Sequence, residues 1–103
     1  MITQDQINYV LDIIVKNATP EKVILFGSYA YGQPQEDSDL DILVIKDTDV
    51  DRYSRAREIR KHLRGIRIPI DVIVYTKEEV EEWKDTNSAF ITQIIKNGRV
   101  LYG

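Results

Sequence analysis

Asp39 and Asp41 stand two residues apart at the mouth of an apolar run, L-D-I-L-V-I. In an extended chain the period of two turns both carboxylates to one side and Leu40 to the other. Two anions held so close repel each other unless a cation neutralises them, and ligation by oxygen alone favours magnesium or manganese over zinc or copper. An isolated D-x-D is more often a pair of solvated aspartates in a turn, so the residues around it decide the reading. Gly27-Ser28 ends the preceding apolar run, V-I-L-F, and leads into a short helical segment, offering backbone N–H groups and a hydroxyl to a phosphate. Ten residues separate Ser28 from Asp39. A Gly-Ser turn alone is commonplace, but a phosphate grip and a cation pair on neighbouring strands belong to one chemistry. A third acid, Asp71, opens the β-branched run I-D-V-I-V. Aspartate is depleted from strands and rarely buried without a partner, so Asp71 either sits at an exposed strand end or faces the same cation. Asp39 and Asp41 favour the cation site.

Those residues need strands and turns to hold them. Thr3 with Gln6 reads as a capping box, and Ile7, Val10, Leu11 and Ile14 recur at helical spacing up to Pro20. Residues 23–26 are a short apolar run, expected as a buried strand, followed by a helical turn at Tyr29 to Tyr31 and a polar loop over 33–38. A second strand is expected over 39–45. Tyr53, Ala56, Ile59 and Leu63 give the next segment a helical stripe that Gly65 ends, and residues 70–75 read as a third strand with Pro69 at its entrance. Thr76 is placed to cap an acidic helix and Ser88 another, with Asn97-Gly98 before a short terminal strand over 99–102. The expectation is one α/β domain with a small mixed sheet, helices mainly on one face, and the acids at the sheet's edge.

The stretch F-G-S-Y-A-Y-G-Q-P-Q-E-D-S-D-L-D-I-L-V resembles the Gly-Ser, ten residues, Asp-x-Asp signature of the polymerase-β-like nucleotidyltransferases, and I-D-V-I-V resembles their third-carboxylate strand. The short chain is similar to the minimal nucleotidyltransferase (MNT) members of that superfamily, and the resemblance runs from the first strand to the C-terminus. It implies a polymerase-β-like fold and two divalent ions, Mg2+ or Mn2+, held by Asp39, Asp41 and Asp71. It also implies that Gly27 and Ser28 grip the nucleotide phosphates while Asp71 helps take the acceptor's proton. The expected reaction moves a nucleoside monophosphate, AMP from ATP being the preferred instance among the NTPs, to a hydroxyl. Minimal members are often encoded beside a helical HEPN-domain toxin and act as its antitoxin, in some cases by adenylylating a toxin tyrosine, which makes such a protein the expected partner. Many relatives have arginine where this chain has Tyr29 or Tyr31, and no role is carried over to those tyrosines. The alternative is a non-catalytic module that neutralises a helical partner by contact; the intact Gly27, Ser28, Asp39, Asp41 and Asp71 argue against it.

Other motifs fall away on inspection. Asp37, Asp39 and Asp41 have the first spacings of a calcium loop, but Ile42 takes its glycine position and Thr48 its terminal glutamate position. Gly27 to Gly32 is neither a Walker loop nor a dinucleotide fingerprint. Arg57 and His62 match the R-x4-H spacing of certain helical ribonucleases without a second supporting motif. Arg52, Arg55, Arg57, Arg60, Lys61, Arg64 and Arg67 make up half of the fourteen Lys and Arg residues. They are expected first on a solvated face, then at an acidic partner surface or nucleotide phosphates, and third at nucleic acid, with the steering of the helical partner as the functional candidate. Trp83, Phe90, Ile91, Ile94 and Ile95 are expected mainly in the core, any surplus making a partner or homo-oligomer interface.

Composition sets the outer bounds. The chain has 103 residues, 43% hydrophobic and 30% charged, which suits one globular domain with one core and leaves no room for a second, acceptor-binding domain. A net charge of -3 speaks against a surface that coats nucleic acid. The absence of cysteine excludes thiol catalysis and fits a reducing cytosol, and no apolar run approaches a membrane span or signal peptide, so a cytoplasmic protein is expected.

Overall fold

The computed structural model describes residues 1–83 and 90–103 of the chain. Helix α1 (Gln4–Ala18) starts at the expected capping box: the Thr3 hydroxyl accepts from the Gln6 N–H at 3.1 Å, and Gln6 Oε1 accepts from the Thr3 N–H at 2.8 Å. It ends where Thr19 turns left-handed, just before Pro20. Strand β1 (Lys22–Phe26), the single-turn helix α2 (Ser28–Tyr31) and strand β2 (Leu40–Ile45) follow. Helix α3 (Arg52–Arg60) tightens into a 3-10 turn (Lys61–Leu63), so the expected single helix changes pitch in its last turn. Strand β3 (Ile70–Tyr75), helices α4 (Lys77–Trp83) and α5 (Phe90–Asn97) and strand β4 (Arg99–Tyr102) complete the order.

The four strands lie in the order β3-β2-β1-β4, with β1 antiparallel to both neighbours and β2 parallel to β3. That parallel pair requires a crossover, which α3 supplies. Because side chains alternate, β2 feeds both faces of the sheet. Leu40, Ile42 and Val44 join Ile7, Val10 and Ile14 of α1, Ile59 of α3 and Leu63 in the larger core cluster. Leu43 and Ile45 join Ile24, Phe26 and the α5 residues Ile91 and Ile94 in a smaller cluster on the opposite face. The two longest helices thus cover one face, as the mixed-sheet expectation has it, and α5 covers part of the other.

Two expectations are corrected at this level. The second strand begins at Leu40, which leaves Asp39 just outside it, and the Trp83 to Ile95 group divides. Ile91 and Ile94 are buried, whereas Phe90 and Ile95 remain exposed because α5 presents only one apolar stripe to the sheet; Trp83, at the end of α4, is exposed as well. The Phe90 ring still meets Phe26 edge to face, at 5.8 Å between centroids. Thr76 caps α4 reciprocally, its hydroxyl accepting from the Glu79 N–H and its own N–H donating to Glu79 Oε1 at 2.8 Å. The expected cap at Ser88 lies outside the described residues. Among the described residues no helix is long and apolar enough to cross a membrane.

Candidate active site

Asp41 sits at the centre of the site because its strand does. As the second residue of β2 it pairs with Phe26 of β1 on one side and with Asp71 of β3 on the other. The parallel register places Asp41 directly opposite Asp71, on the sheet face that carries Leu43 and Ile73 further along. Asp39 precedes the strand by one residue and, by alternation, belongs to the same side. The chain reaches it through a small closed loop, in which Gln35 N–H donates to Ser38 Oγ at 2.8 Å and Ser38 N–H to Gln35 O at 3.0 Å. The Leu40 N–H then donates to Pro69 O at 2.9 Å, locking the entrance of β2 to that of β3.

Gly27 follows Phe26 and therefore lies beside Asp41. It adopts φ 75°, a left-handed backbone that L side chains rarely take, and a Cβ built there would fall on Asp41 Oδ2, within 3.0 Å of Asp41 Cγ. Glycine is needed for a reason composition could not show: the carboxylate occupies the space of the missing methyl. Ser28 is the first residue of α2, whose turn closes when the Ala30 and Tyr31 N–H groups donate to Gly27 O at 3.0 and 3.1 Å. Tyr29 has a structural task, its hydroxyl accepting from the Ile2 N–H at 2.9 Å and tying α2 to the start of α1.

The electrostatics of this corner favour a cation. Burial, then the charges of Asp71 and Asp39, push the Asp41 carboxyl up from 3.8 to about 6. A cation reverses the second and third of these causes at once, and a donor set made only of carboxylate oxygens suits Mg2+ or Mn2+. The residues therefore fit a divalent ion by chemistry. Among the described residues, however, no three such side chains converge closely enough to hold one without rotating. Asp71 instead has Arg60 Nη2 3.7 Å from its Oδ1.

Sequence reasoning missed that neighbour, because the register of α3 against β3 is set by packing and leaves no mark in the spacing of arginines. It also misplaced Arg55. Expected on a solvated face, Arg55 is only 10% exposed and binds Glu79 Oε1 at 2.6 Å and Val50 O at 2.8 Å, clamping α3 to the start of α4. Arg52 lies over the rings of Tyr53 and Tyr75, at 5.6 Å from each centroid. The basic segment is thus divided between structural contacts and the rim of the acidic corner. A cavity of about 170 Å3 lies between α1 and α3, lined in part by Asn17, Lys46, Arg55 and His62. Lys46 follows the last residue of β2, so this cavity belongs to the end of the strand opposite Asp41.

A mixed four-stranded sheet with a Gly-Ser turn beside paired carboxylates defines the nucleotidyltransferase class of α/β domains. The Polymerase beta, Nucleotidyltransferase family matches residues 8–103, and the chain belongs to that family. It is 39% identical over 82 residues to a protein of Methanocaldococcus jannaschii named "Putative protein adenylyltransferase MJ0604", covering 80% of this chain and 78% of that one. Its fold is similar to a chain in a crystal structure of a toxin-antitoxin with AMP-PNP (TM-score 0.66, 22% identity, covering 93% of this chain and 72% of the other). It is also similar to a "putative nucleotidyltransferase" from Sulfolobus solfataricus (TM-score 0.56, 27% identity, 80% and 79% covered).

Proposed function

We propose that this nucleotidyltransferase uses divalent cations to transfer AMP from ATP to a protein hydroxyl, a tyrosine of a helical HEPN-type toxin, and thereby acts as its antitoxin. The observation that carries the chemistry is the pairing of Asp41 with Asp71 in parallel register, with Gly27 against the Asp41 carboxylate. The adenylyltransferase name of the Methanocaldococcus relative supports AMP as the transferred group. The toxin-antitoxin with AMP-PNP supports a triphosphate and a toxin partner.

In this reading Asp39, Asp41 and Asp71 hold Mg2+ or Mn2+. Held there, such ions would supply charge to neutralise the triphosphate and to lower the pKa of the acceptor hydroxyl. The backbone of Gly27 and the hydroxyl of Ser28 grip the phosphates that leave, and the Asp71 carboxylate receives the proton of the attacking hydroxyl. The acceptor oxygen bonds to the α-phosphorus as the bond to pyrophosphate breaks, so one AMP is added and one pyrophosphate released.

The test is to incubate the protein with Mg2+, ATP labelled in the α-phosphate and the protein encoded beside it, and to follow label by gel and mass. Label on a tyrosine of the partner, absent with Asp41→Asn, is the expected result. A stable complex that neutralises the partner equally well with Asp41→Asn, and without label, would replace this reading with one of contact alone.

A further inference from the structure

Asp71 already meets a cation of the chain's own. Helix α3 runs alongside β3 in the opposite direction: Arg55 reaches Val74 O and Glu79 near the end of β3, while Arg60, the last residue of α3, reaches Asp71 near its start. The Arg55–Glu79 pair fixes the helix, so the backbone of Arg60 is held relative to Asp71 while its side chain stays free to turn. The Arg60 and Asp71 side chains are 57% and 52% exposed, with Nη2 and Oδ1 3.7 Å apart. Among the described residues this is the one ion pair that includes any of the three aspartates.

We propose that Arg60 is an internal counter-ion of the transfer site, neutralising Asp71 in the metal-free chain and releasing it when Asp71 ligates a divalent ion. The inference rests on the metal-site reading above and adds a residue to it. A guanidinium 3.7 Å from Oδ1 acts on it through charge, and so competes with a cation for an oxygen that ligation uses. An exposed ion pair is weak, so Arg60 competes with the ion and does not exclude it. Arg60 is a positioning residue, acting on the site through Asp71.

The test is Mn2+ binding without nucleotide, by calorimetry, in the parent, Arg60→Gln, Arg60→Lys and Arg67→Gln, each checked for folding by its melting curve. Arg60→Gln should bind Mn2+ about two- to fivefold more tightly than the parent, the range expected for loss of an exposed ion pair. Arg60→Lys should stay near the parent. Arg67→Gln removes the same charge without an ion pair to Asp71 and should show less than the Arg60→Gln effect. In an Asp71→Asn background the Arg60→Gln gain should fall to that of Arg67→Gln. Equal gains in Arg60→Gln and Arg67→Gln, or none in Arg60→Gln, would overturn the counter-ion role and leave the metal site standing. Failure of both parent and Arg60→Gln to bind Mn2+ would overturn the metal site, and the counter-ion role with it.

Discussion

The Asp41 carboxylate fills the space that a side chain at Gly27 would occupy, so the turn proposed to grip the phosphate and the residue proposed to hold the cation are fitted to each other. If both proposed roles hold, replacing Gly27 with Val should damage them at once. The left-handed backbone and the displaced carboxylate together should cost roughly 1–3 kcal/mol of stability. Calorimetry should show weakened Mn2+ and Mg2+-ATP binding, with Gly27→Ala intermediate. Loss of ATP binding with Mn2+ affinity unchanged would mean that Gly27 serves the phosphate alone.

On the proposed function, Asp39→Asn and Asp41→Asn should each lower transfer by roughly a hundredfold or more, since each would remove a ligand from a charge-stabilising site. Folding should survive, because the neutral amide relieves repulsion in the metal-free protein. Label transfer and thermal melting measured on the same preparations separate the two effects. Parent-like transfer in both variants would refute their assignment as ligands.

The raised Asp41 carboxyl gives a pH dependence of definite sign. Its value in the fold, about 6, lies above its ordinary 3.8, so between these the folded chain binds the proton that the unfolded chain has lost. Stability of the metal-free protein should fall as pH rises through this window, and Asp41→Asn should flatten the fall. At a half-buried carboxyl, after solvent screening, the effect is on the order of 1 kcal/mol. Mn2+ affinity should move oppositely, rising to about pH 6 as Asp41 ionises and then levelling. Denaturant melts and calorimetry across pH 4 to 7 measure both slopes.

Arg55→Ala should be the most destabilising change in the basic segment, by about 3 kcal/mol, because it strands Glu79 in a partly buried position. Burial pushes the Glu79 carboxyl up, but hydrogen bonds from Arg55 and Thr76 outweigh it and hold the group below its ordinary value. The stability it contributes is therefore present above the ordinary carboxylate range and lost as pH falls through it. Arg57→Ala, exposed on the same helix, should melt within about half a kcal/mol of the parent. Equal melting of the two variants would show that the Arg55 clamp does not hold α4.

What was legible in the sequence and what was not divide along physical lines. The α1 capping box, the β1 run, the turn at Ser28 and the β-branched β3 were readable because periodicity and turn chemistry are local. The period of two put Asp39 and Asp41 on one side, and the odd aspartate in I-D-V-I-V pointed to Asp71. Their pairing depended on the parallel register of β2 and β3, which side-chain patterns do not encode when both strands are apolar on both faces. The roles of Arg55 and Arg60 were hidden for a related reason. Arginines five apart on one helix look alike until the packing of α3 on β3 sends one into an ion pair with Glu79 and the other to Asp71. Trp83 and Phe90 were misread because apolar composition does not reveal how much of a sheet face a short helix covers.

The crowding of Asp41 by Asp71 and Asp39 also bears on how such a chain would drift over generations. A lineage that stopped using the reaction would gain stability from a neutral replacement at Asp41, so mutation would erode that position faster than an ordinary surface carboxylate. On the proposed function, the stability given up at Asp41 is the counterpart of the work its carboxylate does.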